Sequence, residues 1–88
     1  LTIVLNNSSM GVYSPDRFPL SNERYGTKYL TGDYAKVAEA MGGYNERVEN
    51  PDDVVAAIKR GQEVVNSGSP ALLEFITRED QAGSCRSR

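Results

Sequence analysis

The chain opens with the stretch Leu1-Thr2-Ile3-Val4-Leu5-Asn6-Asn7, and Ser8-Ser9-Met10-Gly11 follows directly. Its apolar residues are continuous rather than alternating, which is typical of a strand buried on both faces of a parallel sheet. Such sheets present ligands beyond the carboxyl ends of their strands, where this strand delivers two side-chain amides and a turn that contains glycine. We therefore expect a β-strand at residues 2–5, followed by a turn that is suited to hold a ligand.

The asparagine pair has two interpretations, one structural and one functional. Asparagine is common after strands, because its side chain hydrogen-bonds nearby backbone groups and tolerates turn geometry. An amide oxygen is also a hard ligand suited to Mg²⁺ or Ca²⁺, ions that proteins often share with a bound phosphate. The turn at residues 8–11 would add a backbone carbonyl for the ion and N–H groups for a diphosphate. The residues alone leave both interpretations open.

Helices alternate with strands in the rest of the chain. Residues 8–31 lack a clear period and are rich in Ser, Gly, Pro, Asn and Tyr, which predicts a long loop with one short helical turn. Asp33 then favours a helix start, and Gly42-Gly43 is typical of its end. The expected buried face of this helix consists of Tyr34, Val37, Ala38 and Met41.

A second helix is predicted after Asn50, which suits the cap position, with Pro51 at the first helical position. Its expected buried stripe consists of Val54, Ile58, Gly61 and Val65, and Gly61 indicates close packing against a sheet. Strands are predicted at residues 47–49 and 71–77. This order of elements predicts an α/β fold whose parallel strands are joined by right-handed crossovers.

Composition argues against several classes of function. The 88 residues allow one small domain, and a net charge of -2 without a basic stripe argues against nucleic acid as a partner. No apolar stretch approaches the ~20 residues that a membrane helix needs. Histidine is absent from the sequence, which excludes a His-based catalytic pair within this segment. The single cysteine, Cys85, cannot form an internal disulfide, which favours a cytoplasmic location.

Four segments of the chain resemble one enzyme family. Leu5–Gly11 is similar to the second half of the thiamine-diphosphate motif, which begins with Gly-Asp-Gly and ends with Asn-Asn. Asp16-Arg17-Phe18 resembles part of the active-site loop of acetolactate synthases, and Gly32–Gly43 resembles their Asp-Phe-x-x-Leu-Ala-x-Ala-x-Gly helix. Pro70–Glu74 resembles their final strand. Together these segments extend the resemblance over most of the chain.

The resemblance implies that residues 1–77 are the C-terminal part of a thiamine-diphosphate-binding domain and that residues 78–88 are a polar tail. The implied fold class is α/β, as a fragment of a parallel-sheet, three-layer domain. The parent enzyme would bind thiamine diphosphate and Mg²⁺ and would act on 2-oxo acids by decarboxylation and carboligation, as a transferase or lyase. Because the family's active site lies between subunits, a homodimer or homotetramer is implied, with the remainder of the enzyme as this segment's partner.

The resemblance also assigns roles to the opening turn. Asn7, through its side-chain oxygen, and Ser9, through its backbone carbonyl, would be Mg²⁺ ligands. Met10 and Gly11 would lie against the cofactor diphosphate and complete the implied cofactor-binding set. Asn6 would orient the turn, and the loop up to about residue 31 would cover the active site when substrate is bound.

The chain departs from the family pattern in ways that limit what this segment does. The Gly-Asp-Gly half of the motif and its Asp ligand are absent, as is the domain carrying the Glu that activates the cofactor. The family's Trp before Asp16-Arg17-Phe18 is also missing, so the particular 2-oxo acid is not specified. The isolated chain is therefore expected to be inactive. The alternative is a free-standing, non-catalytic α/β binding module or a catalytically silent fragment of an enzyme.

Overall fold

The computed structural model describes residues 1–30 and 32–78. The chain divides into two compact units, of which the first combines Leu1–Asn6 with Gly32–Thr77 and the second contains Asn7–Thr31. In chain order the elements are β1 (Thr2–Asn6), α1 (Pro19–Tyr25), α2 (Tyr34–Ala40), β2 (Tyr44–Val48), α3 (Val54–Asn66) and β3 (Ala71–Ile76), with 3₁₀ turns at Gly11–Tyr13 and Pro51–Asp53. The predicted tail at residues 78–88 lies outside the described residues except for Arg78, so its boundary stays a prediction.

The first unit is built on a parallel sheet with the strand order β1-β3-β2. α3 packs on the face that carries Leu73 and Phe75, whereas Glu74 points to the opposite face and contacts the first turn of α2. The two helices therefore lie on opposite sides of the sheet, which makes three layers. The chain passes from β1 across β3 to β2 with α2 on one face and returns to β3 with α3 on the other face, so the two crossovers share one hand. The predicted parallel α/β fold is confirmed.

β1 is exposed along most of its length, which corrects the expectation that it is buried on both faces. Within the described residues it pairs with β3 alone. Ile3 and Leu5 are 43% and 69% exposed, because α3 packs mainly against β2 and β3. The continuous apolar pattern correctly indicates a strand, but apolarity does not specify which element covers each face.

α2 begins where the sequence predicts, but a different face is buried. Asp33 caps the helix, because its Oδ1 accepts a backbone N–H one turn later at 3.3 Å. Gly42, with φ of +83°, follows the end of the helix. The buried residue is Ala35, whose N–H is bonded to the central strand, and this bond selects the face. Of the predicted face, Tyr34 and Ala38 are half-buried, whereas Val37 and Met41 are 58% and 83% exposed.

The helical segment starts after Asn50 as predicted, but its first turn is 3₁₀ and α3 itself begins at Val54. The Asn50 side chain accepts the Asp52 N–H at 2.9 Å, and Pro51 occupies the first position of the 3₁₀ turn that leads into the helix. The buried residues are Ala57 and Gly61, while the other predicted core positions, Val54, Ile58 and Val65, are half-buried. At 13 residues α3 is the longest described helix, and no described helix is long and apolar enough to cross a membrane.

Gly61 confirms the prediction of close packing between α3 and the sheet. A Cβ at this position would lie 2.9 Å from Leu1 Cδ1 and 3.3 Å from Leu73 Cδ1. Because Leu73 is fully buried in β3, a larger residue at position 61 would push the helix away from the core. This core consists of Val48, Ala57, Leu73 and Phe75, with Tyr44, Val54 and Ile58 packed against it.

A bidentate ion pair joins β2 to α3. Arg60 Nε and Nη2 donate to the two carboxylate oxygens of Glu46, each at 2.8 Å, and the Tyr44 hydroxyl donates to the same carboxylate. The Arg60 guanidinium holds the pKa of the Glu46 carboxyl below its usual value, partly opposed by burial and assisted by Tyr44. The same carboxylate raises the pKa of the Tyr44 hydroxyl.

The depressed pKa of Glu46 makes part of the stability pH-dependent. This contribution is complete above the unfolded-state pKa of a glutamate and is lost as pH falls through the lower, folded-state pKa. Glu46→Gln should therefore lower the melting temperature at pH 7. The melting temperature of this variant should also fall less between pH 5 and pH 3, because it has no carboxylate to protonate at position 46. Thermal unfolding across this range, with the exposed Glu39→Gln as the control, measures the effect. An equal fall of the melting temperature between pH 5 and pH 3 in Glu46→Gln and in the unsubstituted chain would contradict the assignment.

Candidate functional site

The carboxyl end of the sheet in the first unit contains a fully buried carboxylate. Glu74 Oε1 accepts the Ala35 N–H at 3.0 Å, and Oε2 accepts Asn6 Nδ2 at 2.7 Å. Arg47 Nη1 lies 3.4 Å from Oε2 and supplies the opposite charge. Burying a carboxylate is costly unless it is paired and hydrogen-bonded. Three donors, from α2, β1 and β2, meet this requirement.

Asn6, the last residue of β1, is held from several directions. It is 7% exposed, and its Nδ2 lies 3.4 Å from the Gly32 carbonyl in addition to its bond to Glu74. Its backbone carbonyl accepts the Thr77 N–H at 2.8 Å. These contacts agree with the role that the resemblance implies for Asn6, which is to orient the turn.

Asn7 begins the second unit and forms a turn with its own backbone. Its side-chain Oδ1 accepts the Ser9 N–H at 3.1 Å, an arrangement typical of an Asx turn. Between them, Ser8 has a φ of +58°, a left-handed conformation that is uncommon for residues other than glycine. The contacts of the exposed Asn7 therefore agree with the structural interpretation of the asparagine pair. Its Oδ1 keeps a second lone pair for another partner.

The turn continues into a short antiparallel bridge within the second unit, in which Ser9 is opposite Tyr29. The Met10 N–H donates to the Lys28 carbonyl at 2.6 Å, and the Leu30 N–H donates to the Ser8 carbonyl at 3.2 Å. In this geometry the N–H and carbonyl of Ser9 point away from the bridge. Because the Ser9 N–H contacts the Asn7 Oδ1, the Ser9 carbonyl lies on the same side as the Asn7 amide.

The predicted cofactor-binding residues have distinct backbone surroundings. The Met10 N–H is engaged by Lys28, so it does not face outward from the bridge. Gly11 starts a 3₁₀ turn, where the first N–H groups lack partners within the helix. Of these two residues, Gly11 therefore offers the backbone amide better suited to a phosphate oxygen.

The donor set of the turn fits part of a magnesium site. The Asn7 Oδ1 and the Ser9 carbonyl are hard oxygen atoms on one side of the chain, and Mg²⁺ prefers oxygen of this kind. Among residues 1–30 and 32–78, no group of three or more His, Cys, Asp or Glu residues is arranged to hold a metal. Two oxygens are fewer than the near-octahedral set that Mg²⁺ takes, so a diphosphate, waters or further protein ligands must complete it.

The rest of the second unit is more ordered than the predicted loop. It contains the seven-residue helix α1 rather than a single helical turn. Asn22 on α1 organises the segment, because its Nδ2 donates to the carbonyls of Tyr13 and Phe18 and its Oδ1 accepts the Lys28 N–H at 3.0 Å. The side-chain amide of Asn22 replaces regular backbone pairing here. Such side-chain hydrogen bonds cannot be predicted from the periodicity of the sequence.

A cavity of about 340 Å³ lies within this unit. Met10, Tyr13, Phe18, Ser21 and Thr27 line it, and the Tyr13 and Phe18 ring centroids are 5.3 Å apart. The Thr27 hydroxyl oxygen is buried without a hydrogen-bond partner among the described residues. The lining is largely apolar, and Met10, Tyr13 and Phe18 are also partly exposed to solvent.

Comparison with known proteins identifies the family of the chain. Residues 1–75 match the family described as "Thiamine pyrophosphate enzyme, C-terminal TPP binding domain", in which TPP is thiamine diphosphate. The chain is also similar to the mitochondrial acetolactate synthase catalytic subunit of Aspergillus candidus, with 34% identity over 76 residues. The similar region is 85% of this chain and 10% of that protein, so the chain spans about a tenth of its relative's length. The chain belongs to the C-terminal, cofactor-binding domain family of thiamine-diphosphate-dependent enzymes.

Proposed function

We propose that this chain is the segment of a thiamine-diphosphate enzyme acting on 2-oxo acids that supplies part of its Mg²⁺–diphosphate site. The observation that supports this most directly is the turn after β1, where the Asn7 Oδ1 and the Ser9 carbonyl lie on the same side of the chain. Two hard oxygens, followed by the N–H of Gly11, make a donor set suited to an ion that is shared with a diphosphate.

Each residue of the turn has a separate task in this proposal. Asn7 and Ser9 bind Mg²⁺ through oxygen, and Gly11 donates its N–H to the diphosphate. Met10 contributes through its position beside them, since its own N–H holds the bridge to Lys28. Thiamine diphosphate, when bound, supplies the electron sink for decarboxylation and carboligation of a 2-oxo acid.

The remainder of the second unit acts as the active-site lid in this proposal. Tyr13 and Phe18 line an apolar cavity, and Asn22 holds their backbone carbonyls. An ordered apolar lid excludes water from reactive intermediates, which is the usual function of such segments. This support is chemical, because the cavity lining suits a dry site.

The proposal extends to the assembly that contains the segment. We expect the remainder of the enzyme as its partner, in a homodimer or homotetramer, and neither nucleic acid nor membrane as a further partner. A cytoplasmic location stays a prediction from the cysteine content, whereas the Aspergillus candidus relative is a mitochondrial protein.

The coding region upstream of Leu1 tests the proposal against the alternative of a free-standing, non-catalytic module. A Gly-Asp-Gly sequence is expected there, because the turn supplies only part of the Mg²⁺ ligand set and an Asp ligand is missing. Sequencing the complete transcript measures this. A start codon immediately before Leu1 would contradict the enzyme assignment and favour the module.

Asn7→Ala in the full-length protein tests the ligand assignment. Loss of the amide oxygen should weaken Mg²⁺-dependent binding of thiamine diphosphate at least about tenfold, whereas Asn7→Asp, which keeps an oxygen at this position, should retain it. Isothermal titration calorimetry with and without Mg²⁺ gives both affinities. Asn66→Ala, at an exposed position on α3, is the control and should leave the affinity unchanged. Equal affinities for Asn7→Ala and the control would exclude Asn7 as a ligand.

The isolated 88-residue chain should bind Mg²⁺ only weakly and release no CO₂ from pyruvate in the presence of thiamine diphosphate. The physical reason is the incomplete donor set of the turn, together with the absence of the domain that activates the cofactor. Titration with Mg²⁺ and a CO₂-release assay measure the two properties. Measurable decarboxylation by the purified chain would overturn the expectation of an inactive segment.

A further inference from the structure

Glu74 is the one ionisable side chain that is buried among the described residues, and the proposed chemistry gives it no task. A charge without access to water is tolerated only where its partners are close and well arranged. Here the partners are Asn6 at 2.7 Å, the Ala35 N–H at 3.0 Å and Arg47 at 3.4 Å. An apolar residue would fill the same space, so the carboxylate requires an explanation other than packing.

We propose that Glu74 is a positioning residue for the cofactor-binding turn, acting through Asn6. This inference rests on the proposed function of the Asn7 turn. Glu74 Oε2 fixes the side chain of Asn6, and the Thr77 N–H fixes its backbone carbonyl, so the last residue of β1 is held at both ends. The next peptide bond leads directly into Asn7. The contacts of Asn6 therefore fix the residue from which the chain enters the turn.

The chemistry of a carboxylate matches this task better than that of its neutral isostere. An ionised glutamate accepts at both oxygens and donates at neither. All three of its partners are donors, so Glu74 satisfies each of them. A glutamine would turn its NH₂ group either towards Asn6 and Arg47 or towards the Ala35 N–H, and in each orientation two donors would face each other.

The same carboxylate joins Asn6 to the start of α2. Its Oε1 holds the Ala35 N–H in the first turn, and the Gly32 carbonyl, just before this helix, lies 3.4 Å from Asn6 Nδ2. Asn6 is therefore enclosed by groups whose positions depend on Glu74. Loss of the carboxylate should release Asn6 while leaving the apolar core around Leu73 in place.

The test uses the full-length protein and measures two quantities for each variant. Isothermal titration gives the Kd of thiamine diphosphate in saturating Mg²⁺, and thermal unfolding of the cofactor-free protein gives the melting temperature. Glu74→Gln should raise the Kd by about 10–100-fold, the range typical for residues that orient metal ligands. Asn6→Ala removes only the side-chain contacts of Asn6 and should raise the Kd in the same way. This variant provides the test if Glu74→Gln fails to fold.

A matched control separates positioning from general stability. Glu46→Gln disrupts the ion pair between β2 and α3 and touches neither Glu74 nor Asn6. It should lower the melting temperature while the Kd stays within about twofold of the unsubstituted protein, well below the effect expected at position 74. An equal rise in Kd for Glu46→Gln would mean that lost stability alone explains the effect, and would overturn the proposal.

Exchange of donor and acceptor provides a rescue. In the double variant Asn6→Asp with Glu74→Gln, the introduced side-chain amide donates to the introduced carboxylate and still accepts the Ala35 N–H, while the contacts to Arg47 and to the Gly32 carbonyl are lost. Each single substitution should weaken binding, and the double variant should recover part of the affinity, because the direct contact between positions 6 and 74 is restored. Failure of this recovery, or a Kd unchanged by Glu74→Gln, would overturn the role of Glu74. An unsubstituted protein that does not bind thiamine diphosphate with Mg²⁺ would instead overturn the proposed function.

Discussion

The buried carboxylate of Glu74 is the constraint on which the first unit depends. Water does not reach it, so the protein must supply its hydrogen-bond donors. They come from three elements, with Asn6 in β1, Arg47 in β2 and the Ala35 N–H in α2. The carboxylate is satisfied only when all three elements are in place, which couples the two edge strands and one helix to the central strand. Apolar packing of α3 on the opposite face does not require such a specific arrangement.

The two adjacent asparagines illustrate how one strand end serves two purposes. Asn6 is buried and donates its side-chain amide to Glu74, so it belongs to the sheet. Asn7 is exposed and accepts the Ser9 N–H, so it shapes the turn that follows. The structural and functional interpretations of the Asn-Asn pair are therefore compatible.

Sequence reasoning succeeds here where one residue determines the local geometry. Asp33 caps α2 and Asn50 caps the 3₁₀ turn that leads into α3, as expected, and Gly61 packs closely against the sheet. It fails for Val37 and Met41, because helical periodicity predicts which side chains share a face but not which face the sheet covers. Glu74 is missed as well, since its partners lie 27, 39 and 68 positions away in the sequence. Its only local signal is a charge between Leu73 and Phe75, inside an apolar strand.

The central claim is that the turn after β1 binds the metal of a thiamine-diphosphate enzyme. A crystal structure of the full-length protein with thiamine diphosphate and Mg²⁺ tests this most directly. The account predicts the ion at about 2.0–2.1 Å from both the Asn7 Oδ1 and the Ser9 carbonyl oxygen, the usual Mg²⁺–oxygen distance. A bound cofactor whose metal is held by other residues, with the Asn7 amide still engaged only by the Ser9 N–H, would contradict it.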